Sequence, residues 1–253
     1  MMWCDTLENG LANGQVQVGL VDGDLGVAQS LCPQNRLGLA VGGGAIVETT
    51  NFYGHIAGSG TLRGTLAVSK RTALYAAIEG FRYDAVLSPI ASSAMGLGYT
   101  DIGASGQVVQ TERFALALQG KLVLPTAFTL NQNGWPLAAD LGFAAGWSPA
   151  DNVVVHGSVL GLGGLALGGG PQFPHAGVNV DAGLEWRATR SVGVVVDALG
   201  GFGYTAPVDV FAAGVGFRGA IGEHAGLALE ATVPLVGRER TLAALDLRFD
   251  WRL

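Results

Sequence analysis

The chain has 253 residues, a length that fits one large β domain or two small domains. Its net charge of −6, without a basic stripe, argues against nucleic acid as a partner. Although 49% of the residues are hydrophobic, no stretch approaches the roughly 20 consecutive apolar residues of a membrane helix, so helical membrane spans are excluded.

Apolar residues are interrupted throughout by glycine, of which there are 41, and by charged residues, which make up only 13% of the chain. This charged share is about half that of an ordinary soluble domain. High apolarity without long apolar runs is typical of a transmembrane β-barrel, in which every second residue of a strand faces lipid. A soluble all-β sandwich is the alternative, but its exposed face would normally carry more charge.

Residues 1–35 differ from the rest of the chain because they are polar and rich in Gly and Asn, with one short β-like piece at 15–21. We expect an N-terminal periplasmic extension or a plug that folds into the barrel mouth. Cys4 and Cys32 are the two cysteines of the chain, and we predict that they form a disulfide in an oxidising compartment, with two free thiols as the alternative. No signal peptide is visible, so we take the sequence as a mature form with an added Met.

From residue 36 onward, large apolar residues alternate with small or charged residues, which is the pattern of strands. From Val178 to Trp186 every second residue is apolar, and the residues between them are Asn, Asp, Gly and Glu. The pattern predicts an all-β fold, a transmembrane antiparallel up-and-down barrel of about twelve strands over residues 36–253, with ten or fourteen strands as alternatives. The predicted strands cover residues 36–47, 57–69, 73–84, 95–109, 113–125, 137–147, 153–167, 177–188, 192–204, 208–221, 225–236 and 242–253.

The second face of these strands carries both the charges and many glycines, including Gly183, Gly214 and Gly216. Because glycine weakens strands, a water-facing sheet surface has no reason to be rich in it, whereas a crowded, curved interior does. We therefore place the charged face inside. The fourth predicted strand is irregular, since Asp101 shares parity with Leu97 and Tyr99, and a bulge there would repair the register.

Connections between the predicted strands alternate in length. Even-numbered strands are followed by short connections such as "ATRS" at 188–191, and odd-numbered strands mostly by longer ones such as "GGGPQFPHAG". Short periplasmic turns and long extracellular loops are typical of outer-membrane barrels. With an even number of strands, both termini lie on the short-turn, periplasmic side.

Aromatic residues are expected to form belts at the two membrane interfaces. Trp147, Trp186 and Trp251 fall near the short-turn ends of three predicted strands, all on the apolar face. Phe202 and Tyr204 lie near the opposite rim.

The last nine residues, "LDLRFDWRL", alternate without interruption between apolar and charged residues. This strand resembles the C-terminal signal of bacterial outer-membrane β-barrel proteins, although Leu253 replaces the usual terminal aromatic residue. The resemblance implies an outer-membrane location of the Gram-negative type, with membrane lipids as surroundings. It also implies that the barrel-assembly machinery recognises the C-terminal strand.

The charged residues of the inner face are the candidate functional residues. They would select solutes in a polar channel, or they would neutralise one another and stabilise the barrel; the near balance of signs favours the second interpretation. The lumen-lining candidates are Arg63, Lys121, Asp140, Asp181, Glu185, Arg187, Asp197, Arg218, Glu230, Asp246, Arg248 and Asp250, with Arg252 at the end of the last strand.

The leading functional hypothesis is a passive or narrow channel for small polar solutes. The alternative is a non-transporting structural barrel, or one that binds a protein partner through extracellular loops such as "NFYGH" and "NQNGWPL". A lipid hydrolase using His156 and Ser158, which share a strand face, is a weaker third hypothesis, because Val153 and Val155 mark the lipid face and turn His156 into the lumen. "VDGDLG" at 21–26 is only a fragment of a calcium loop, so we predict no metal and no cofactor.

Overall fold

The barrel strands begin at residue 36 because apolar residues alternate there with small and charged ones, a pattern that suits an extended chain with two different faces. In the computed structural model the described residues are 17–18, 21–22, 31, 33–48, 53–87, 92–124, 126, 135–167, 175–189, 191–203, 207–208, 210–221, 224–237 and 240–253. Among them, no helix is long and apolar enough to cross a membrane. Cys4 and Cys32 lie outside the described residues, so the disulfide stays a prediction without structural support.

The strands follow one another along the chain. Their bounds are β1 (Gln17–Val18), β2 (Val21–Asp22), β3 (Arg36–Glu48), β4 (Tyr53–Ala67), β5 (Thr72–Leu87), β6 (Ser92–Gly96), β7 (Thr100–Gln110), β8 (Phe114–Leu124), β9 (Trp135–Ala150), β10 (Val153–Leu167), β11 (His175–Arg187), β12 (Val192–Phe202), β13 (Val210–Ile221), β14 (Ala225–Gly237) and β15 (Arg240–Arg252). Connections of seven residues or more follow β8, β10 and β12.

Twelve of these strands form a closed ring in which each strand pairs antiparallel with its neighbours in the chain. The ring closes where β15 pairs with β3, with Leu247 opposite Val41 and Asp246 opposite Gly42. β6 pairs with the end of β5 and lies outside the ring. The predicted antiparallel barrel of about twelve strands is thereby confirmed, and closure leaves no open edge on the ring.

Several short turns at one end of the barrel are held by a hydroxyl side chain. Ser69 Oγ accepts from the backbone N–H of Arg71, and Thr111 Oγ1 accepts from that of Phe114 at 3.0 Å. Thr189 Oγ1 accepts from the N–H of Val192 at 3.0 Å. Ser and Thr stabilise such turns because the hydroxyl replaces a backbone acceptor, which explains how these hairpins stay short.

The alternation of inner and outer residues changes parity in β5 and in the chain between β6 and β7. The ladder between β4 and β5 shifts register between Gly60 and Thr61. Residues 97–99, which separate β6 from β7, lie beside this shift, since Glu79 and Tyr99 share a backbone hydrogen bond. Leu97, at the start of this break, and Ile102, after it, are both exposed although one position is odd and the other even. The change of parity explains how Asp101 faces Lys121 on the inner wall although it shares sequence parity with the exposed Leu97.

Candidate functional site: the charged interior of the barrel

The two faces of the barrel have opposite character, and neighbouring residues of β9 show the contrast. Leu141 is 73% exposed on the outer face, whereas Asp140 is 1% exposed on the inner face. Large exposed hydrophobic residues recur on the outer face of the barrel strands, and the buried residues of the inner face include many charged ones. This distribution is the reverse of that in a soluble protein.

The charged residues expected to line the lumen lie on the inner face wherever their side chains are described. Asp181 and Arg187 are half-buried. The structure describes the backbone of Arg252 but not its side chain. The remaining members are buried: Arg63, Lys121, Asp140, Glu185, Asp197, Arg218, Glu230, Asp246, Arg248 and Asp250.

Lys121 of β8 lies between two carboxylates. Its Nζ is 3.4 Å from Asp140 Oδ2 on the cross-strand neighbour in β9 and 3.4 Å from Asp101 Oδ2 on β7. The side chains of Lys121 and Asp140 are both 0% exposed. A buried cation between two acids balances charges that would be costly to bury alone, so this group ties three neighbouring strands together on the inner wall.

Glu185 forms a second group, which reaches across three strands. Its Oε1 accepts from Arg187 Nε at 3.1 Å, and its Oε2 accepts from Arg218 Nη1 of β13 at 2.9 Å. The strand between them contributes Gly193, where an added Cβ would lie 3.2 Å from Glu185 Oε1. The absence of a side chain at Gly193 therefore lets the carboxylate lie along the wall toward Arg218.

Acidic side chains lie over glycines at several further places on the inner wall. An added Cβ would overlap Asp246 Oδ1 at Gly42 and Asp250 Oδ1 at Gly38, which are the cross-strand partners of those acids. At Gly214 it would lie 2.9 Å from an oxygen of Glu230 on the next strand. The glycine-rich inner face thus accommodates carboxylates that lie flat against the wall instead of projecting toward the axis.

A third charged group, on β5 and the chain that follows it, was not predicted from the sequence. Arg82 Nη1 lies 3.7 Å from Glu79 Oε2, and its guanidinium lies 5.5 Å from the centroid of the Tyr99 ring. Tyr99 also donates its backbone N–H to Glu79 Oε2. Glu79 and Arg82 are three residues apart, so strict alternation places them on opposite faces. Only the change of parity beside Gly80 brings both inside, and that glycine is the one local signal.

Leu31, which precedes the first barrel strand, lies against the inner wall of the barrel. Its side chain is fully buried, and Gln107 Nε2 on β7 donates a hydrogen bond to its backbone oxygen. The residues that surround it belong to the inner faces of β8, β9 and β10: Ala115, Ala117, Ala144 and Val154. The sequence predicted either an extension or a plug for residues 1–35, most of which lie outside the described residues, so this stays a prediction.

The proposed catalytic pair does not face outward. His156 and Ser158 are 6% and 7% exposed on the inner face of β10. Val155, the residue before His156, is exposed on the outer face of the same strand. The cross-strand partners of the pair on β11 are Gly183 and Asp181. The Ser158 hydroxyl therefore lies on the side of the strand that faces away from the outer surface of the barrel.

The three tryptophans predicted to form a belt are exposed on the outer face near the short turns. Trp147, Trp186 and Trp251 are each about half exposed, and the Trp251 ring stacks on His224 with centroids 6.4 Å apart. Phe202 is half-buried at the other end, and Tyr204 lies outside the described residues.

No family model and no curated protein matches the chain. Solved structures do match it. An outer membrane channel from Pseudomonas putida F1 superposes with a TM-score of 0.69 at 12% identity, over 91% of this chain and 100% of that chain. The KdgM porin in complex with disordered oligogalacturonate gives 0.59 at 7% identity, over 86% and 99%. The β domain of the Bordetella autotransporter BrkA gives 0.59 at 11%, over 87% and 100%.

The chain has the fold of a bacterial outer-membrane β-barrel. At identities this low the similarity establishes the fold alone, because proteins of one fold carry out different functions. The matched structures illustrate the point, since a channel, a porin and an autotransporter domain are among them.

Proposed function

We propose that the chain is an outer-membrane barrel that conducts small polar solutes along its charged interior, through a narrow path. The continuous polar lining of the inner face carries this proposal. It runs from Arg36 and Asp250 near the short turns, through Asp181 and Glu230, to Lys121 toward the opposite end.

The bilayer location rests on the outer face. Exposed Leu, Val, Ile and Phe side chains would be unfavourable in water over so large a surface, whereas lipid is their natural surrounding. The ring strands have 11 to 16 residues, and about 9–11 residues suffice for a tilted strand to cross the hydrocarbon core. Closure of the ring also satisfies the backbone hydrogen bonds that lipid cannot. We place the short turns and both termini on the periplasmic side.

The class of solute follows from the lining. Acids and bases both occur along the inner wall, and Lys121 and Glu185 each contact groups of opposite sign. A lining of mixed sign offers hydrogen bonds to neutral polar solutes and does not present a ring of one charge that selects one kind of ion. Several matched structures, including the P. putida channel and the KdgM porin, are described as channels or porins, which supports transport.

The path is narrow because the charged side chains are packed. Asp140, Glu185 and Asp197 are at most 2% exposed, whereas groups that line a wide aqueous pore would contact water freely. Leu31 occupies part of the inner wall near the short turns. We infer that displacing the Leu31 side chain from this contact widens the path.

The same close packing favours a second candidate function, a non-transporting barrel whose interior charges stabilise it and whose long loops bind a partner. The two functions differ in one property, which is the passage of ions or solutes through the folded protein.

Single-channel recording in planar bilayers separates them. The purified chain is first shown to be folded by heat-modifiable migration on a denaturing gel. Discrete ohmic steps support the channel, and their absence in folded protein supports the non-transporting barrel. Leu31→Asp, which places a charge in an apolar contact, should increase the size or the frequency of the steps. Leu31→Met keeps the volume and the apolar character and should resemble the wild type.

A further inference from the structure

Three side chains that could bind a metal ion converge on the inner wall where β10, β11 and β12 lie side by side. They are His156 of β10, Asp181 of β11 and Asp197 of β12. His156 and Asp197 are the two cross-strand partners of Gly183, so they face each other across a residue without a side chain.

The ring of His156 lies between the two carboxylates. Its Nε2 is 3.6 Å from Asp197 Oδ1, and its Nδ1 is 3.9 Å from Asp181 Oδ1. One nitrogen and one oxygen from each acid lie within 4.8 Å of one another. With metal–ligand bonds of roughly 2.0–2.2 Å, ligand atoms of a tetrahedral site lie about 3.4 Å apart. Small side-chain rotations would therefore close the group around an ion.

Two of the three side chains, His156 and Asp197, are buried without hydrogen-bond partners among the described residues. The side chains of His156 and Asp197 are 4% and 1% exposed. Among the described residues, neither ring nitrogen of His156 and neither carboxylate oxygen of Asp197 has a hydrogen-bond partner. Buried polar atoms without partners are costly and call for a physical explanation. A cation bound by all three side chains would occupy one ring nitrogen of His156 and an oxygen of Asp197, and the other ring nitrogen could donate to a carboxylate, as in many metal sites.

Gly183 keeps the space between the ligands open. An added Cβ at this position would overlap Asp197 Oδ1 and would lie 2.7 Å from His156 Nε2. Glycine also costs strand stability. Its position between the imidazole and the carboxylate therefore fits a cradle for a ligand atom or ion.

The two carboxylates of the site favour a divalent cation, which would balance both of their charges in a buried place. Glu185, Glu230, Arg218 and Arg248 are the other charged groups that act on Asp197. Arg218, which also lies on this wall, donates to Glu185 at 2.9 Å, so its charge is already shared with a third carboxylate. One imidazole nitrogen and two carboxylate oxygens form a ligand set for borderline metals such as Zn²⁺.

We propose that His156, Asp181 and Asp197 bind a divalent transition-metal ion of the Zn²⁺ type on the inner wall. The ion links β10, β11 and β12 through their side chains and stabilises this part of the barrel. The proposal is independent of transport, since it holds equally for a conducting and a non-conducting barrel.

The test is metal binding by the folded, untagged protein in detergent. After dialysis against Zn²⁺ and removal of free ion, elemental analysis should find a single tightly bound Zn²⁺ per chain. His156→Ala and Asp197→Asn should weaken binding by roughly tenfold or more. Gly183→Ala should do the same without removing any ligand. Zn²⁺ should also raise the urea concentration at which the wild type unfolds, and should not do so for these variants.

Two matched variants control for nonspecific effects. Asp250→Asn removes a buried acid that lies over Gly38 in the same way, and His224→Ala removes an exposed imidazole at a turn; both should keep wild-type affinity. The proposal is overturned if the wild type retains no Zn²⁺, or if His156→Ala and Asp197→Asn bind it as tightly as the wild type does.

A measurement on His224→Ala and the wild type covers the case in which the ligand variants do not fold. Cu²⁺ is added as a paramagnetic probe at less than one ion per chain, and pulsed EPR should show coupling to an imidazole nitrogen in both proteins. Absence of that coupling would overturn the proposal.

Discussion

The carboxylate of Asp246 lies against Gly42, its partner on the neighbouring strand, in the volume that a side chain at position 42 would occupy. This contact lies where β15 meets β3 and closes the ring. The same relationship recurs between Asp250 and Gly38. Glycine on the inner wall thus has a specific role, which is to let an acidic side chain lie flat beside the backbone of the next strand.

Gly42→Ala should destabilise the barrel by about 1–3 kcal/mol, because the new methyl group overlaps Asp246 and forces it to move. Urea unfolding in lipid vesicles, followed by gel mobility, measures the change in the free energy of unfolding. Gly64→Ala on the adjoining strand is the control, since an added Cβ there has no atom within 4 Å. In the Asp246→Ala background the cost of Gly42→Ala should fall, and an equal cost in both backgrounds would contradict the account.

Lys121→Met should cost roughly 3–5 kcal/mol of folding stability, because it leaves Asp101 and Asp140 buried without their shared cation. The same urea titration measures the loss. The matched control is Arg113→Met in the exposed turn pair with Asp151, where the side chains are 58% and 90% exposed; its cost should stay below about 1 kcal/mol. Similar losses in the two variants would show that the buried group has no special weight.

Trp147, Trp186 and Trp251 should lie at one depth, near the membrane surface on the short-turn side. Proteins that keep one of the three and carry Phe at the other Trp positions are reconstituted with brominated lipids. Bromine near the headgroups should quench each fluorescence more strongly than bromine near the chain ends, since Trp favours the interface. Strongest quenching from the bilayer centre, or none, would rule out the belt.

The variant Ser158→Ala should release fatty acid from phospholipid at the same rate as the wild type, whether or not that rate is above background. The buried, inward position of His156 and Ser158 gives a lipid of the surrounding bilayer no access to the hydroxyl. Release of fatty acid from mixed micelles of phospholipid and detergent is the measurement. Hydrolysis by the wild type that disappears in Ser158→Ala would instead identify the pair as catalytic.

Alternation along the sequence was enough to predict the barrel, its number of strands and the side to which each regular strand turns its charges. It failed around Glu79 and Arg82, because a shift of register between neighbouring strands is a property of their pairing and leaves no periodic trace in one strand. The position of Leu31 could not be predicted either, since its contacts with Ala115 and Val154 join distant parts of the chain.

The metal-binding group escaped sequence reasoning for a similar reason. His156, Asp181 and Asp197 lie on three strands with no characteristic spacing, and their convergence depends on the cross-strand register at Gly183. The sequence relates His156 only to Ser158, which lies two residues away on the same face of the strand. The relevant neighbours of a barrel residue lie across the sheet, where the sequence gives no direct indication of register.

One expectation underlies the others: the apolar face of the barrel meets lipid, and the charged face encloses the path. Spin labels placed one at a time from Leu245 to Trp251, with Cys4 and Cys32 replaced by Ser, test it most directly through accessibility to oxygen, which concentrates in lipid. We expect the accessibility of the spin label to oxygen to vary with a period of two residues. It should be high at Leu245, Leu247 and Phe249 and low at Asp246 and Arg248. High oxygen accessibility at Asp246 and Arg248, or no alternation in protein that migrates as folded, would contradict this expectation.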